Sequence, residues 1–307
     1  MHMGRVAPVT APVTTCYRHS DRRAGVTCQR CDRPICPSCM AQASVGFHCP
    51  ECTRSAARTS PVMRMRDLQS GRPVVTQILI ALNVLGMLAA VATGGSLFDG
   101  GGTATENGLL IGYWETTEAT RFGFVTTPIG VAHGEWYRVF TGGFLHSGLL
   151  HLGMNMLLLY MLGSQLEPLL GKARFLSLYI ACLAAGSFGV LLVSPTAATV
   201  GASGAVFGLM GAAVIAQRRA GIDIWRNGIG GLVIINLLIT FAVPGISVGA
   251  HVGGLVAGVA IGALVFALDS IVRSPWIGTA VCVGITVLLV FGCIWAADQW
   301  ANPVINF

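Results

Sequence analysis

Seven uncharged apolar runs, at roughly 74–95, 149–166, 175–193, 202–217, 228–243, 249–268 and 276–297, decide what this chain can fold into. Each approaches the ~20 residues with which an α-helix crosses the hydrocarbon layer of a bilayer, and some fall short of it. Charged residues make up 10% of the 307 positions, against ~25% in a soluble protein. The two shortest runs could be buried helices of a soluble domain, but soluble cores do not supply this many apolar runs in succession. The reading is an all-α polytopic membrane protein with seven spans.

Basic residues orient it. Eleven arginines precede the first run; Lys172 and Arg174, then Arg218, Arg219 and Arg226, then Arg273 fall on the same side. The opposite side holds Arg121 and Arg138, both in the long 96–148 connection. This is the positive-inside asymmetry, and it predicts a cytoplasmic N-terminus and an outer C-terminus in the cell membrane. The net charge of +6 is a topology signal and requires no nucleic acid. Residues 1–15 carry no apolar core, so no cleavable signal peptide is expected.

Before the spans lies a cysteine-rich module, residues 1–55. Its pairs are Cys16-x2-His19, Cys28-x2-Cys31, Cys36-x2-Cys39 and Cys49-x2-Cys52, with His48 as a ninth candidate. Disulfides are disfavoured in a reducing cytoplasm. Short C-x2-C turns let both sulfurs face one ion, and four such pairs suit two tetrahedral zinc sites. One zinc with spare thiols, or His48 in place of Cys49, stay open. A redox C-x2-C motif is disfavoured by the number of pairs. The module has few apolar residues, so metal would supply much of its folding energy. Residues 56–72 form a basic linker, read as a tether near anionic headgroups or as a plain flexible spacer.

The fourth run begins with "GASG" around Ser203 and must end by Arg218. Fifteen residues of helix rise about 22 Å, less than the ~30 Å hydrocarbon layer. The helix therefore starts below the outer surface, after a stretch that descends without helical structure. Irregular backbone at that depth survives only beside protein or a wet cavity, so the short span predicts a water-filled pocket with a hydroxyl at its floor. Counting from the inner ends puts His251 and His151 near the same depth, with Asn155 one turn deeper than His151. Polar side chains within a membrane face a cavity or one another. A serine, a histidine base and pre-aimed donors are the parts of acyl transfer. No acidic residue lies in the outer halves of these spans, so a Ser–His dyad is the concrete expectation. Read singly, Ser203 also fits a helix-packing role, with Gly204 and Gly208 making one small-residue face and Gly254, Gly258 and Gly262 another.

Gly201-x-Ser203-Gly204 with Ala205, Phe207 and Gly208, "AHVGG" around His251, "HSGLLHLGMN" with His146, His151 and Asn155, and Trp136-x-Arg138 together resemble the rhomboid intramembrane serine proteases. The resemblance implies a six-helix core at 73–270, with residues 271–307 adding a seventh transmembrane helix and a short outer tail. It implies Ser203 as nucleophile and His251 as general base, with His151, Asn155 and the Ser203 amide holding the oxyanion. Phe207 is expected against the catalytic histidine, Trp136 and Arg138 in the outer loop's scaffold, and His146 above the pocket. Catalysis would need no cofactor. The substrates would be single-pass transmembrane proteins cut near their outer ends. The cysteine spacing resembles a B-box-type zinc finger. That implies one ion on Cys16, His19, Cys36 and Cys39 and a second on Cys28, Cys31, Cys49 and Cys52, in a module that takes an unnamed protein partner. A catalytically silent relative that binds membrane clients is the alternative, and a small-solute transporter a more distant one, since no intramembrane carboxylate or internal repeat is visible.

Overall fold

The computed structural model describes residues 14–42, 46–59, 72–121, 123–272, 274 and 276–301. The chain divides into two units, residues 1–67 and 68–307. The described part of the first has little regular structure. Strands β1 (Val26–Thr27) and β2 (Pro34–Ile35) pair antiparallel, as do β3 (Ala41–Gln42) and β4 (Phe47–His48), and helix α1 spans Pro50–Thr59. The first residues of the expected linker are thus helical, while 60–71 lie outside the described residues. The buried apolar positions here are Cys16, Cys28, Cys36, Cys39 and Cys49, joined by Ile35. One isoleucine among thiols is not a hydrophobic core, and such a module needs another source of folding energy.

The second unit is mostly helical. Helix α2 (Val74–Ala92) leads into a long connection holding α3 (Thr103–Gly108), a hairpin of β5 (Trp114–Thr120) and β6 (Gly123–Ile129), and α4 (Arg138–Thr141). Then come α5 (Leu149–Leu170), α6 (Lys172–Val193), α7 (Ser203–Arg219), α8 (Ile229–Ala242), α9 (Val248–Ile271) and α10 (Ile277–Ala301). Five helices are long and apolar enough to cross a membrane; α7 and α8, with 17 and 14 residues, are shorter. Seven apolar helices stand where seven runs were read. The hairpin was not anticipated, although its threonines and valine suit strands.

Helix α7 is the central post, with twelve of its seventeen residues buried. Its glycines and alanines let neighbours approach backbone to backbone. A Cβ on Gly254 of α9 would fall on the Gly204 carbonyl, and one on Gly258 on the Gly208 carbonyl. Small residues are what drive such contact where lipid is as apolar as any side chain. Elsewhere α2, α8 and α10 turn Leu85, Leu88, Leu238, Phe241, Leu288 and Phe291 outward. Apolar surface of this extent requires lipid around it.

Two buried charges fix the ends. The Glu167 carboxylate of α5 accepts from the amides of Val75 and Thr76 (2.9 and 2.8 Å) and from the Thr76 hydroxyl (2.8 Å). It caps the orphan N–H groups at the start of α2 and complements their partial positive charge. In the connection after α2, Arg138 donates to Glu135 Oε2 (2.7 Å) and to the carbonyls of Glu106 (2.9 Å) and Leu109 (3.0 Å). Arg138 is buried and organises the connection, while Trp136 is half exposed. The same connection satisfies the irregular stretch before α7. Leu110 and Thr199 exchange two backbone hydrogen bonds of 2.9 Å, and Gly201 N–H donates to the Gly142 carbonyl at 2.9 Å. Protein partners thus stand in for water at this depth.

Candidate active site

Ser203 opens α7, and its N–H is one of the amides that a helix leaves without an internal acceptor. The turn before it depends on Gly201. That residue has φ +124°, and a Cβ there would lie 2.8 Å from His151 Nε2. Only glycine both adopts the backbone and leaves the imidazole its room.

Ser203, His251, His151 and Asn155 all line one cavity of about 560 Å³. Its wall is completed by Met154, Val206, Phe207 and Ile239, and by the 244–247 turn between α8 and α9. Four polar groups from α5, α7 and α9, placed at one level by the sequence reading, thus share one space. His251 lies flat on Phe207, ring centroids 4.1 Å apart and planes 16° from parallel. Its Nδ1 is 2.7 Å from the Thr240 hydroxyl. On α5, His151 Nδ1 is 3.0 Å from the Ser147 hydroxyl, and Asn155 Nδ2 donates to the His151 carbonyl at 2.9 Å. His146, fully buried, meets the His151 ring edge-on with centroids 5.0 Å apart.

Sequence reasoning passed over Ser147, Asn236, Thr240 and Ser247. Asn236 and Thr240 are polar positions one helical turn apart in an otherwise apolar helix, a spacing that puts both on one face and could have drawn notice. Ser247 caps α9, its hydroxyl accepting from Ala250 N–H at 3.3 Å. Chemically, the cavity holds an alcohol, two imidazoles and a carboxamide beside the free amides of a helix N-terminus.

The sequence profile of the rhomboid domain matches residues 133–268. The chain carries a rhomboid domain. The matched stretch holds Ser203, His251, His151 and Asn155, and begins after α2 and the hairpin. Over 193 residues the chain is 34% identical to the rhomboid protease GluP of Bacillus subtilis (strain 168), covering 62% of this chain and 34% of that protein. It is 44% identical over 84 residues to the putative rhomboid protease YdcA of the same organism, covering 27% and 42%. With RHOMBOID-like protein 4 of Arabidopsis thaliana it shares 34% over 135 residues, covering 42% and 34%. The chain therefore spans between a third and about two fifths of the length of these curated relatives. It is a multi-pass membrane protein with a rhomboid domain.

Outside the rhomboid domain, the cysteine-rich unit gathers two ligand sets. Cys16, His19, Cys36 and Cys39 form one and Cys28, Cys31, Cys49 and Cys52 the other, each with its ligand atoms within 4.8 Å of one another. The pairs interleave along the chain, and His48 belongs to neither set. Zinc–sulfur bonds of ~2.3 Å give a tetrahedron with edges near ~3.8 Å; Cys31 and Cys49 sulfurs are 3.8 Å apart. His19 Nδ1 lies 3.3 Å from the Cys39 sulfur and 3.4 Å from that of Cys36. Both sets fit a tetrahedral ion of zinc's size. Burial raises the Cys16 thiol, but the backbone N–H groups of Arg18, Cys36 and His19 outweigh it and bring it down to about 6. Cys28 also comes down to about 6, its burial outweighed by amides of Cys49, Arg30 and Cys31.

Proposed function

We propose that this chain is an intramembrane serine endopeptidase that cuts transmembrane segments near the outer face of the cell membrane. One observation carries the reading: a single hollow holds the hydroxyl at the start of a short span, the imidazole of a neighbouring span, and donors from a third. Ser203 Oγ attacks the scissile carbonyl while His251 takes its proton. The tetrahedral oxyanion is received by the Ser203 amide, His151 and Asn155, donors fixed before the reaction begins. His251 returns the proton to the leaving amine, and the acyl-enzyme is then hydrolysed by water entering the hollow. A substrate helix must unwind to present an extended peptide, which small or helix-breaking residues make easier.

On this reading the N-terminus is cytoplasmic and the C-terminus outside, as the basic residues require. The substrates are single-pass membrane proteins. The cysteine-rich module carries two structural zinc ions, none used in catalysis, and serves as a docking point for a protein partner. The test is Ser203→Ala in the full chain. It should abolish both cleavage of a model transmembrane substrate and labelling by a fluorophosphonate. Labelling that persists in Ser203→Ala would refute the nucleophile assignment. Wild-type chain that neither labels nor cleaves would favour a catalytically silent, client-binding rhomboid.

A further inference from the structure

We infer that Thr240 of α8 is the positioning residue that fixes the tautomer of His251, taking the place an acidic residue holds in a serine triad. The inference rests on the protease reading above. The Thr240 hydroxyl is buried and has two partners at 2.7 Å, the Asn236 carbonyl and His251 Nδ1. A hydroxyl owns one hydrogen, and a carbonyl can only accept. With that hydrogen given to Asn236, the oxygen can only accept from the imidazole. The proton of neutral His251 therefore sits on Nδ1, and Nε2 keeps the lone pair a general base needs. Phe207 holds the plane of the same ring, so stacking and the Nδ1 contact together leave Nε2 as the nitrogen for the hollow.

The proton count closes. Ser203 passes its proton to Nε2 as the Oγ–carbonyl bond forms. The imidazolium still donates from Nδ1 to Thr240, and Nε2 then releases the proton to the leaving amine. Thr240 stays neutral throughout. A hydroxyl also suits its surroundings better than a carboxylate, because an uncompensated charge on a fourteen-residue apolar helix would be costly. Alternatively, the hydroxyl could turn its hydrogen to Nδ1, since the Asn236 carbonyl already receives a helical amide. The proton would then move to Nε2 and His251 could not act as the base. The two arrangements have opposite consequences, and they can be told apart.

The experiment compares Thr240→Val, which keeps the shape and removes the oxygen, with Thr240→Ser, which keeps the oxygen, in full-length protein. The rate of fluorophosphonate labelling should fall on the order of tenfold to a hundredfold in Thr240→Val, and stay within about threefold of wild type in Thr240→Ser. In the wild type, 15N spectra assigned by difference against His251→Gln should show a protonated Nδ1 and a bare Nε2, with the two forms mixed in Thr240→Val. Equal labelling of Thr240→Val and wild type, or a wild-type proton on Nε2, would overturn the inference. Wild-type protein that does not label would instead refute the protease reading, while the spectra would still report on Thr240.

Discussion

The imidazole of His251 and the ring of Phe207 lie face to face, 4.1 Å between centroids and 16° from coplanar, across the contact between α9 and α7. The pair joins the helix that carries the histidine to the one that begins with Ser203. Replacing Phe207 by leucine keeps the buried volume apolar and removes the stacking, worth about 0.5–1.5 kcal/mol for an aromatic pair. Labelling of Ser203 by a fluorophosphonate should slow by roughly two- to twelvefold, with the thermal midpoint little changed. An unchanged rate would mean the ring only fills space.

The same two helices meet at Gly258, where an added Cβ would strike the Gly208 carbonyl. Gly258→Ala should force α9 away from α7, costing about 1–3 kcal/mol as overpacking does, and should cut labelling by separating His251 from Ser203. The control is Gly284→Ala on α10, where a Cβ meets nothing within 4 Å. Helix propensity alone then acts, leaving stability unchanged or raised by up to ~1 kcal/mol. Thermal unfolding in one detergent compares both. Equal effects would remove the packing argument.

Much of this was legible because bilayer thickness is a ruler. Counting rise per residue from Arg218 placed Ser203 at the start of a short helix, and α7 begins there. Counting back from Asp269 and Glu167 brought His251 and His151 to one level, and both line the hollow with Ser203. The resemblance to a B-box-type zinc finger also implied the two interleaved ligand sets that the cysteine-rich unit gathers. Lateral relations were not legible. Nothing in the chain says that α8 faces α9 so as to set Thr240 against His251, because depth is a one-dimensional measure and says nothing about rotation around a helix. The β5–β6 hairpin was missed for another reason: it lies outside the apolar runs, where period-two alternation over seven residues is a weak signal beside them.

Arg138 is buried with Glu135 as its anionic partner. Burial pushes the Glu135 carboxyl up, but hydrogen bonds from Arg138 and the Gly130 amide outweigh it and hold it below the usual range. A carboxyl lowered on folding stabilises above its unfolded pKa, ~4.3 for glutamate, and that contribution disappears as the pH falls through the lower folded value. Glu135→Gln should therefore cost about 1–3 kcal/mol at neutral pH, because the buried guanidinium loses its anionic partner. Its thermal midpoint should fall less than that of wild type on acidification below pH ~4. Parallel acid profiles would show that the pair contributes nothing.

The cysteine-rich unit offers a stoichiometric test. Its buried apolar positions are thiols and one isoleucine, so an ion-free form lacks the burial that would hold it together. Metal analysis of the full chain should return two zinc ions per molecule. Cys36→Ala, which removes a ligand from the set around His19, should lower this to one, and so should Cys31→Ala in the other set. Both together should return none, while His48→Ala should leave both ions in place because His48 lies in neither set. Chelation should make residues 14–59 sensitive to protease, since most of the free energy ordering them comes from ligand bonds, apparent values being ~10–16 kcal/mol per structural zinc. A single zinc lost equally through Cys31→Ala and Cys36→Ala would mean that the two sets compete for one ion, and the interleaved two-site arrangement would have to be abandoned.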